Sequence, residues 1–454
     1  MSERLFGTDG VRGIPGKEPL TPATVAALGY HAAKFFLQQA GERAPENPFI
    51  VVGRDTRRSG PALQAALAEG FAAAGVTTVD LGVIPTPGVS YLAPRLGALA
   101  GAVISASHNP AEFNGIKFFT QGGFKLSPEA ESEIERRLRL QRQVPAAKAV
   151  VRDGLGYEEA YRDFLLSAFP ATLDLTGVKL VVDCAHGAAA AYAPALLARL
   201  GADVFPVGCK PNGKNINEKC GATHPEAMSK EVRRRKAHAG VAFDGDADRA
   251  LVCDETGAVL DGDAVIGAAA VRLQARGALK GAKVALTVMS NFGLIRFLAG
   301  RGVSVVTTPV GDKHVTDALE REGLSLGGEN SGHVVFRDFA PTGDGVLTAL
   351  QTLAAWRESG APMSALKGLY APTPQVLRNV HIARKPPLEK LEETQETIGK
   401  VAKLLKGRGR VFVRYSGTEP AIRVLVEGPK QGENRRLADL IVKTYLFETG
   451  QKEA

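Results

Sequence analysis

The sequence predicts an α/β protein built from three similar α/β domains and a smaller C-terminal α+β domain. A strand–helix–strand order occurs three times, over residues 49–81, 178–207 and 283–307, and this alternation is typical of α/β folds. Beyond Pro374 the order of elements changes. A length of 454 residues suits about three domains, within a range of roughly two to four.

The first segment begins with a helix that Thr21 caps and that runs to about Gln39, because Pro22 suits the first helical position. We then expect a buried strand at 49–53, a polar loop at 54–59, an alanine-rich helix at 61–74 and a strand at 76–81.

The later segments follow the same logic. The second is predicted as a strand at 178–183, a helix at 187–200 and a strand at 202–207, and the third as 283–288, 291–298 and 303–307 in the same order. The last segment is predicted as a strand at 376–382, a charged helix at 387–405, two strands flanking 414–420 and a helix from Asn434. The predicted domain limits are 1–152, 153–256, 257–370 and 371–454.

The net charge of +8 and the pI near 9.2 could indicate nucleic acid, a membrane surface or anionic small molecules as partners. The positive residues are scattered, and the two dense runs, at 135–139 and 233–236, lie in helix-like segments where solvated faces are common. We therefore expect phosphorylated metabolites as ligands, with no nucleic-acid or membrane partner.

The four cysteines show no Cys-x-x-Cys spacing, which argues against a zinc site or a disulfide framework and suits a reducing compartment. The N-terminus lacks an apolar signal core, and no stretch approaches ~18 uninterrupted apolar residues. A cytoplasmic protein is expected.

Ser107 follows a short apolar run, Ala102 to Ile104, and stands beside His108 in the loop Ser107-His-Asn-Pro110. A loop at the carboxyl end of a strand is where open α/β sheets place ligands. By itself the loop could equally be turn chemistry, since Asn-Pro starts turns and serine bonds to nearby backbone.

Asp244, Asp246 and Asp248 alternate with small residues directly after an apolar run and precede Arg249. Three such carboxylates can converge on one hard cation such as Mg²⁺. An EF-hand would need glycine at position 249 and flanking helices. A phosphatase with an aspartate nucleophile would leave Ser107 without a role, and a solvated acidic turn is the remaining alternative.

Two further loops carry ligand-type side chains. Glu329 and Ser331, in Gly328-Glu-Asn-Ser-Gly-His333, offer acceptors for the hydroxyls of a sugar, although a simple turn fits as well. The second loop combines arginine side chains, hydroxyls and exposed backbone N–H groups, which together can bind a phosphate. Its candidate residues are Arg414, Ser416, Gly417, Thr418 and Arg423. Arg12, in a glycine-punctuated N-terminal stretch, is a candidate for approach to an anion, whereas 309–314 is best explained as a helix start near Asp312.

Together the four loops resemble the four signatures of the α-D-phosphohexomutase superfamily, in family order along the whole chain. The matching segments are Ile104 to Pro110, Asp244 to Arg249, Gly328 to His333 and Arg414 to Pro420. Residues 5–13 and 422–427 most resemble members that act on glucosamine phosphates. The resemblance implies three α/β domains around a central cleft and a distinct fourth domain.

The resemblance also implies a role for each residue. Ser107 would carry the phosphoryl group, and Asp244, Asp246 and Asp248 would hold one Mg²⁺ together with a phosphoserine oxygen. Arg249 would support the transferring group, Lys117 would match the proposed acid/base lysine, and His108 would polarise the transfer. Sugar and phosphate would be held by Arg12, Glu329, Ser331, His333, Arg414, Ser416, Gly417, Thr418 and Arg423.

The implied reaction converts glucosamine 6-phosphate to glucosamine 1-phosphate through glucosamine 1,6-bisphosphate, and it supplies precursors of UDP-N-acetylglucosamine and the cell wall. The loop 309–314 departs from the common lysine-containing version, so glucose or mannose phosphates stay open as alternative substrates. A metal-dependent sugar phosphatase is a further alternative. The expected assembly is a monomer or homodimer.

Overall fold

The computed structural model describes residues 5–7, 9–416 and 420–453. The chain divides into two compact units, Met1–Thr287 with Val306–Leu369, and Val288–Val305 with Tyr370–Ala454.

The first sheet of the larger unit has six strands in the order β1-β5-β4-β2-β3-β6. Strands β2, β3, β4 and β6 run parallel, and β5 is antiparallel to both β4 and β1. The elements are β1 (Val11–Gly13), α1 (Pro22–Ala40), β2 (Phe49–Arg54), α2 (Gly60–Ala73), β3 (Thr77–Val83), α3 (Thr86–Arg95), β4 (Ala100–Ile104), β5 (Asn114–Thr120), α4 (Pro128–Leu140) and β6 (Val151–Asp153). Because β2 and β4 are parallel neighbours, the loops that follow them meet at one sheet edge.

Helix α1 begins as predicted. Its first turn contains Pro22, and the Thr21 hydroxyl accepts a hydrogen bond from the Thr24 N–H at 3.3 Å, which satisfies one of the orphan donors of the first turn. The helix buries Leu28 and Phe36 in a core shared with Ile50, Leu67 and Phe71.

The second sheet has the strand order β11-β10-β9-β7-β8. Its elements are α5 (Tyr157–Ala168), β7 (Lys179–Asp183), α6 (Ala193–Arg199), β8 (Asp203–Val207), α7 (Glu226–Arg235), β9 (Ala239–Phe243), β10 (Ala250–Cys253) and β11 (Val259–Leu260). The helix predicted at 187–200 is divided into a 3₁₀ turn, Ala188–Ala191, and α6. Pro194 explains the restart, since proline suits a first helical turn but not a helix interior.

The third stretch joins β12, β14 and β15 in one sheet, with β12 parallel to β14 and β14 antiparallel to β15. Its elements are α8 (Gly262–Ala275), β12 (Lys283–Thr287), α9 (Phe292–Ala299), β13 (Ser304–Thr308), α10 (Asp312–Glu322), β14 (Leu326–Gly328), β15 (Val334–Phe336), α11 (Gly345–Ser359) and α12 (Ser364–Lys367). The helix start predicted near Asp312 is found there.

The smaller unit contains a three-stranded antiparallel sheet in the order β16-β18-β17. Its C-terminal elements are β16 (Gln375–His381), α13 (Glu392–Leu405), β17 (Arg410–Tyr415), β18 (Ala421–Glu427) and α14 (Gln431–Thr449). Helices α13 and α14 cover a core that includes Val380, Ile422 and Tyr445. The last helix begins three residues before the predicted Asn434.

The predicted fold class, three α/β domains and a smaller C-terminal α+β domain, is confirmed. Strand β6 spans the predicted limit between residues 152 and 153, and the four domain limits stay predictions. Among the described residues, every helix is too short or too polar to cross a membrane. All four cysteines are free thiols.

Candidate active site

Ser107 lies three residues beyond the end of β4, in the turn that the sequence indicated. Its side chain is buried, its φ is 50°, and its hydroxyl donates a hydrogen bond to Asp244 Oδ2 at 2.6 Å. The Nδ1 atom of His108 is 3.3 Å from the same hydroxyl. A left-handed backbone is uncommon for serine, so the surrounding contacts must hold this conformation.

The three predicted metal ligands converge in the connection between β9 and β10. One carboxylate oxygen from each of Asp244, Asp246 and Asp248 lies within 4.8 Å of the others, and all three residues are buried. Within the described part of the chain, Oδ1 of Asp246 and Oδ1 of Asp248 accept no hydrogen bond. Burial and the carboxylates of Asp248 and Asp246 raise the pKa of Asp244 well above its usual value. Negative charge is therefore concentrated where the three carboxylates meet.

Gly245 lets the metal-binding loop lie against the serine loop. A Cβ atom at this position would stand 2.7 Å from the Ser107 carbonyl oxygen and 2.9 Å from Asn217 Nδ2. Both distances are shorter than any normal carbon contact, so a side chain would push the two loops apart.

Lys117, on β5, is buried between two carboxylates, at 2.9 Å from Asp246 Oδ2 and 2.7 Å from Asp9 Oδ2. Burial alone would lower the pKa of Lys117, but Asp246 and Asp9 outweigh it and raise the pKa above its usual value. The ammonium therefore stays charged at neutral pH. Arg12 joins the group through Asp9, with its Nη2 atom 2.8 Å from Asp9 Oδ2.

Arg249 and His108 complete the titratable groups around Ser107. Arg249 Nε is 3.9 Å from Asp248 Oδ1, and the Arg249 backbone N–H donates to Asp244 Oδ1 at 3.2 Å. Burial, with the positive charges of Arg249 and Arg12, lowers the pKa of His108 to about 4. His108 is therefore a neutral imidazole at pH 7.

His333 is fully buried between two carboxylates, with Nδ1 3.7 Å from Asp248 Oδ2 and Nε2 3.8 Å from Asp312 Oδ2. Burial opposes protonation, but the carboxylates of Asp248 and Asp312 raise the pKa of His333 above its usual value. Lys125 pairs with Asp312 and, at 2.7 Å, with Asp9. The ion pairs thus link the N-terminal stretch, the metal-binding loop and the start of α10.

Glu329 lies in the turn between β14 and β15 and is buried. Its Oε1 accepts a hydrogen bond from the Gly311 N–H at 3.0 Å, and the Ser331 hydroxyl lies 3.5 Å from its Oε2. Both predicted sugar-binding residues therefore lie beside the residue that precedes α10.

The predicted phosphate cradle lies in the smaller unit. Arg414 on β17 and Arg423 on β18 are directly opposite each other in the antiparallel ladder, an arrangement that is destabilising for like charges unless an anion lies between them. Burial and the charge of Arg423 lower the pKa of Arg414. Ser416 is buried at the end of β17, whereas Gly417 and Thr418 lie outside the described residues.

Several charged residues of the site were not singled out from the sequence. Asp9, Lys125 and Asp312 form the ion pairs just described. Thr86, at the start of α3, donates a hydrogen bond to Asp246 Oδ2 at 2.7 Å. The polar loop after β2 contributes Arg57, whose contacts are described below. The position of Arg57 in the sequence could have indicated its role. It lies in a polar loop after β2, and because β2 is a parallel neighbour of β4, that loop lies beside the serine loop.

Comparison with known protein families identifies the class of this molecule. Four family models match the chain in order, those of the phosphoglucomutase/phosphomannomutase alpha/beta/alpha domains I, II and III and of the C-terminal domain. They cover residues 3–144, 159–257, 261–372 and 377–444. The chain belongs to this family of the α-D-phosphohexomutase superfamily, and it is an enzyme.

Within the family, phosphoglucosamine mutases are similar to this chain over nearly its full length. The phosphoglucosamine mutase of Anaeromyxobacter dehalogenans is 45% identical, with 97% of this chain and 98% of the relative covered. That of Myxococcus xanthus is 46% identical, with 96% and 95% covered. The predicted relationship to the superfamily, and to this branch of it, is confirmed.

Solved structures agree on the fold. A phosphoglucomutase/phosphomannomutase family protein from Burkholderia thailandensis superimposes with a TM-score of 0.83 at 24% identity, covering 99% of this chain and 98% of its own. The N-acetylphosphoglucosamine mutase of Aspergillus fumigatus, solved with GlcNAc-6P and magnesium, gives a TM-score of 0.68 at 20% identity, covering 98% and 96%.

Proposed function

We propose that this enzyme interconverts glucosamine 6-phosphate and glucosamine 1-phosphate, with Ser107 as the carrier of the phosphoryl group. The observation that carries the proposal is the 2.6 Å hydrogen bond between the Ser107 hydroxyl and Asp244, one of three clustered carboxylates. A buried hydroxyl beside a candidate metal site is suited to phosphoryl transfer. The full-length phosphoglucosamine mutase relatives support the substrate.

The carboxylate cluster fits Mg²⁺. Asp244, Asp246 and Asp248 supply the oxygen ligands that a hard cation prefers, and the Oδ1 atoms of Asp246 and Asp248 accept no hydrogen bond from the described residues. When bound, Mg²⁺ would neutralise negative charge on the group being transferred. A bound cation would also offset the burial and the carboxylate repulsion that together raise the pKa of Asp244.

The chain's own residues stabilise the charge that develops during the transfer and receive the proton that it releases. Arg249 and the charged Lys117 stabilise negative charge that spreads over the transferring phosphoryl group. The bond between phosphorus and Ser107 Oγ breaks as the sugar oxygen forms its bond to phosphorus. The proton of the sugar hydroxyl ends on Ser107 Oγ, beside the neutral His108.

The sugar must be held in two orientations, because the bisphosphorylated intermediate, glucosamine 1,6-bisphosphate, has to turn before it returns a phosphoryl group. Glu329 and Ser331 are proposed to bind sugar hydroxyls. Arg414, Ser416, Gly417, Thr418 and Arg423 are proposed to bind the sugar phosphate that does not react. Arg12 and His333 are proposed as further substrate-binding residues. Arginines opposite each other on paired strands can bind a phosphate in either orientation of the sugar, because they recognise only its charge and its paired oxygen acceptors.

We also propose a cytoplasmic location, supported by the four free thiols and by the phosphorylated substrate. The assembly is proposed as a monomer or homodimer, with no nucleic-acid or membrane partner.

The experiment that tests the function compares wild type with Ser107→Ala and, as a matched control, Ser167→Ala, whose hydroxyl is exposed on α5. We expect covalent phosphate on the 102–117 peptide and mutase activity in wild type and Ser167→Ala, and neither in Ser107→Ala. Activity would be compared on glucosamine, glucose and mannose phosphates with the bisphosphate activator present. Full activity of Ser107→Ala would refute the proposal, and net release of inorganic phosphate without isomer formation would identify a phosphatase.

A further inference from the structure

Arg57 is the largest fully buried side chain of the described residues, and it lies in the loop after β2 next to the serine loop. Its Nε donates to Asp55 Oδ2 at 2.8 Å. Its Nη2 donates to the carbonyl oxygens of Ser107 and Asn109 at 3.0 and 2.8 Å. Its Nη1 donates to the carbonyl oxygens of Phe113, at 2.9 Å, and Pro110. A guanidinium has five N–H donors, and here all five are used.

A second chain of contacts runs from Arg57 to the backbone N–H of Ser107. Asp55 Oδ2, which accepts from Arg57, also accepts from the Ser105 hydroxyl at 2.6 Å. The Ser105 oxygen in turn accepts a hydrogen bond from the Ser107 N–H at 2.8 Å. Arg57 and Asp55 therefore fix both the N–H and the carbonyl of the same residue.

Asn217 holds the loop from the opposite side. It belongs to the second α/β segment, and its Nδ2 donates to the carbonyl oxygens of Ser107 and Asn109 at 2.9 and 3.1 Å. Each of these two carbonyls thus accepts one hydrogen bond from Arg57 and one from Asn217. The Asn217 backbone is itself left-handed, with φ 59°, and its N–H donates to Ala185 O at 2.8 Å.

These contacts account for a backbone conformation that the loop could not keep unaided. Ser107 has φ 50°, which costs energy for any residue except glycine, and the carbonyls of 107, 109, 110 and 113 all point toward one buried region. Buried carbonyls need donors, and Arg57 supplies a donor to each of the four. The resulting conformation aims the Ser107 hydroxyl at Asp244.

We propose that Arg57, supported by Asp55, Ser105 and Asn217, is a positioning residue that holds Ser107 in line for phosphoryl transfer. The inference rests on the proposed role of Ser107 as phosphoryl carrier. Arg57 does not contact the substrate, because its side chain is fully buried and its donors are all taken. Its effect is confined to the placement of Ser107 against the metal-binding carboxylates.

The test compares Arg57→Met and Arg57→Lys with Arg58→Met, which alters the exposed neighbouring arginine. For Arg57→Met we expect kcat to fall about 100-fold with KM for the sugar phosphate unchanged, because reacting groups displaced by about 1 Å lose roughly that factor. Arg57→Lys should lose about tenfold, since an ammonium has three donors and no fork. Arg58→Met should match wild type.

A direct readout accompanies the kinetics. In the ³¹P NMR spectrum of the phosphorylated enzyme, the phosphoserine resonance of Arg57→Lys should broaden or shift, whereas that of Arg58→Met should not. If Arg57→Met does not fold, Asn217→Asp carries the test. It keeps the shape of the side chain but removes both donors, and it should also lower kcat without raising KM.

Two results would overturn the inference: folded Arg57 and Asn217 variants with wild-type kcat, or a loss that appears in KM alone. These results differ from failure of the proposed function, in which wild type itself would carry no phosphate on Ser107. A wild type phosphorylated at Ser107 together with unaffected Arg57 variants would refute the positioning role only.

Discussion

At the scale of single residues, the environment of each charged group decides what it can do. Lys117 lies between Asp246 and Asp9, whose carboxylates raise its pKa, so it is a fixed positive charge in the proposed site. His108 experiences the opposite influence, because burial and two nearby arginines disfavour its charged form. Two basic side chains near one hydroxyl therefore occupy different protonation states at pH 7.

The depressed pKa of His108 predicts a pH dependence of stability. Unfolding raises its pKa from about 4 to the usual 6.5, so the unfolded state binds the proton more readily, and the stabilising contribution is lost as pH falls from 6.5 toward 4. Because the ring is partly exposed, we expect a loss of about 1–2 kcal/mol. The variant His108→Gln has no titratable group at this position. The free energies of urea unfolding of the metal-free wild type and the metal-free variant should therefore diverge as the pH falls below 6.5. Parallel curves would contradict this assignment.

At the scale of elements, the site depends on loops that follow neighbouring strands and approach one another closely. The metal-binding loop between β9 and β10 contacts the serine loop after β4 only because residue 245 has no side chain. The polar loop after β2 provides Arg57, whose buried guanidinium donates hydrogen bonds to carbonyl oxygens of the serine loop. The positions of the proposed site residues thus depend on contacts between neighbouring loops.

Gly245→Ala tests this close approach. The added Cβ would meet the Ser107 carbonyl, which is backbone, and the Asn217 Nδ2 atom, which two hydrogen bonds hold in place, so we expect the loops to separate. We expect a stability loss of about 1–3 kcal/mol and an activity loss of roughly 100-fold.

Gly399→Ala is the matched control for Gly245→Ala. Residue 399 lies within α13, and a Cβ there meets nothing within 4 Å. This substitution should stabilise the protein by up to about 1 kcal/mol and leave activity unchanged. Thermal unfolding and mutase assays on both variants decide the matter, and equal behaviour of the two would show that the loops tolerate separation.

At the scale of the whole molecule, the larger unit concentrates charge contributed by distant parts of the sequence. Asp9, Asp246 and Asp312 come from three separate α/β segments, and Lys117 and Lys125 join them. In the metal-binding loop, burial and the carboxylates of Asp248 and Asp246 raise the pKa of Asp244, and the Oδ1 atoms of Asp246 and Asp248 accept no hydrogen bond from the described residues. A divalent cation should therefore stabilise the folded chain as a whole.

Addition of Mg²⁺ is expected to raise the midpoint of thermal unfolding, because a ligand bound only by the folded state stabilises it by about 2.7 kcal/mol at 100 times its Kd. Removal with EDTA should reverse the shift. The double variant Asp244→Asn with Asp248→Asn should lose the response. Asp203→Asn, which changes an exposed carboxylate of the same sheet, should retain it. If Mg²⁺ does not change the midpoint of thermal unfolding of the wild-type protein, the proposed site is excluded.

From the sequence alone we predicted the order of elements, the fold class and the loops proposed to form the site. Those features are local: strand-length apolar runs, capping residues such as Thr21, and polar side chains crowded after a strand, as at Ser107 and Asp244. Errors were local too, as where Pro194 divided a predicted helix.

Only the tertiary structure decided which groups meet and in what protonation state. Arg57 and Asn217 grip the same two carbonyls from positions 160 residues apart, and Lys117 is charged because Asp9 and Asp246 reach it from distant segments. Contacts of this kind depend on how segments pack, and burial sets the strength of every charge interaction. A linear sequence records the identity of these residues but not the distances between them.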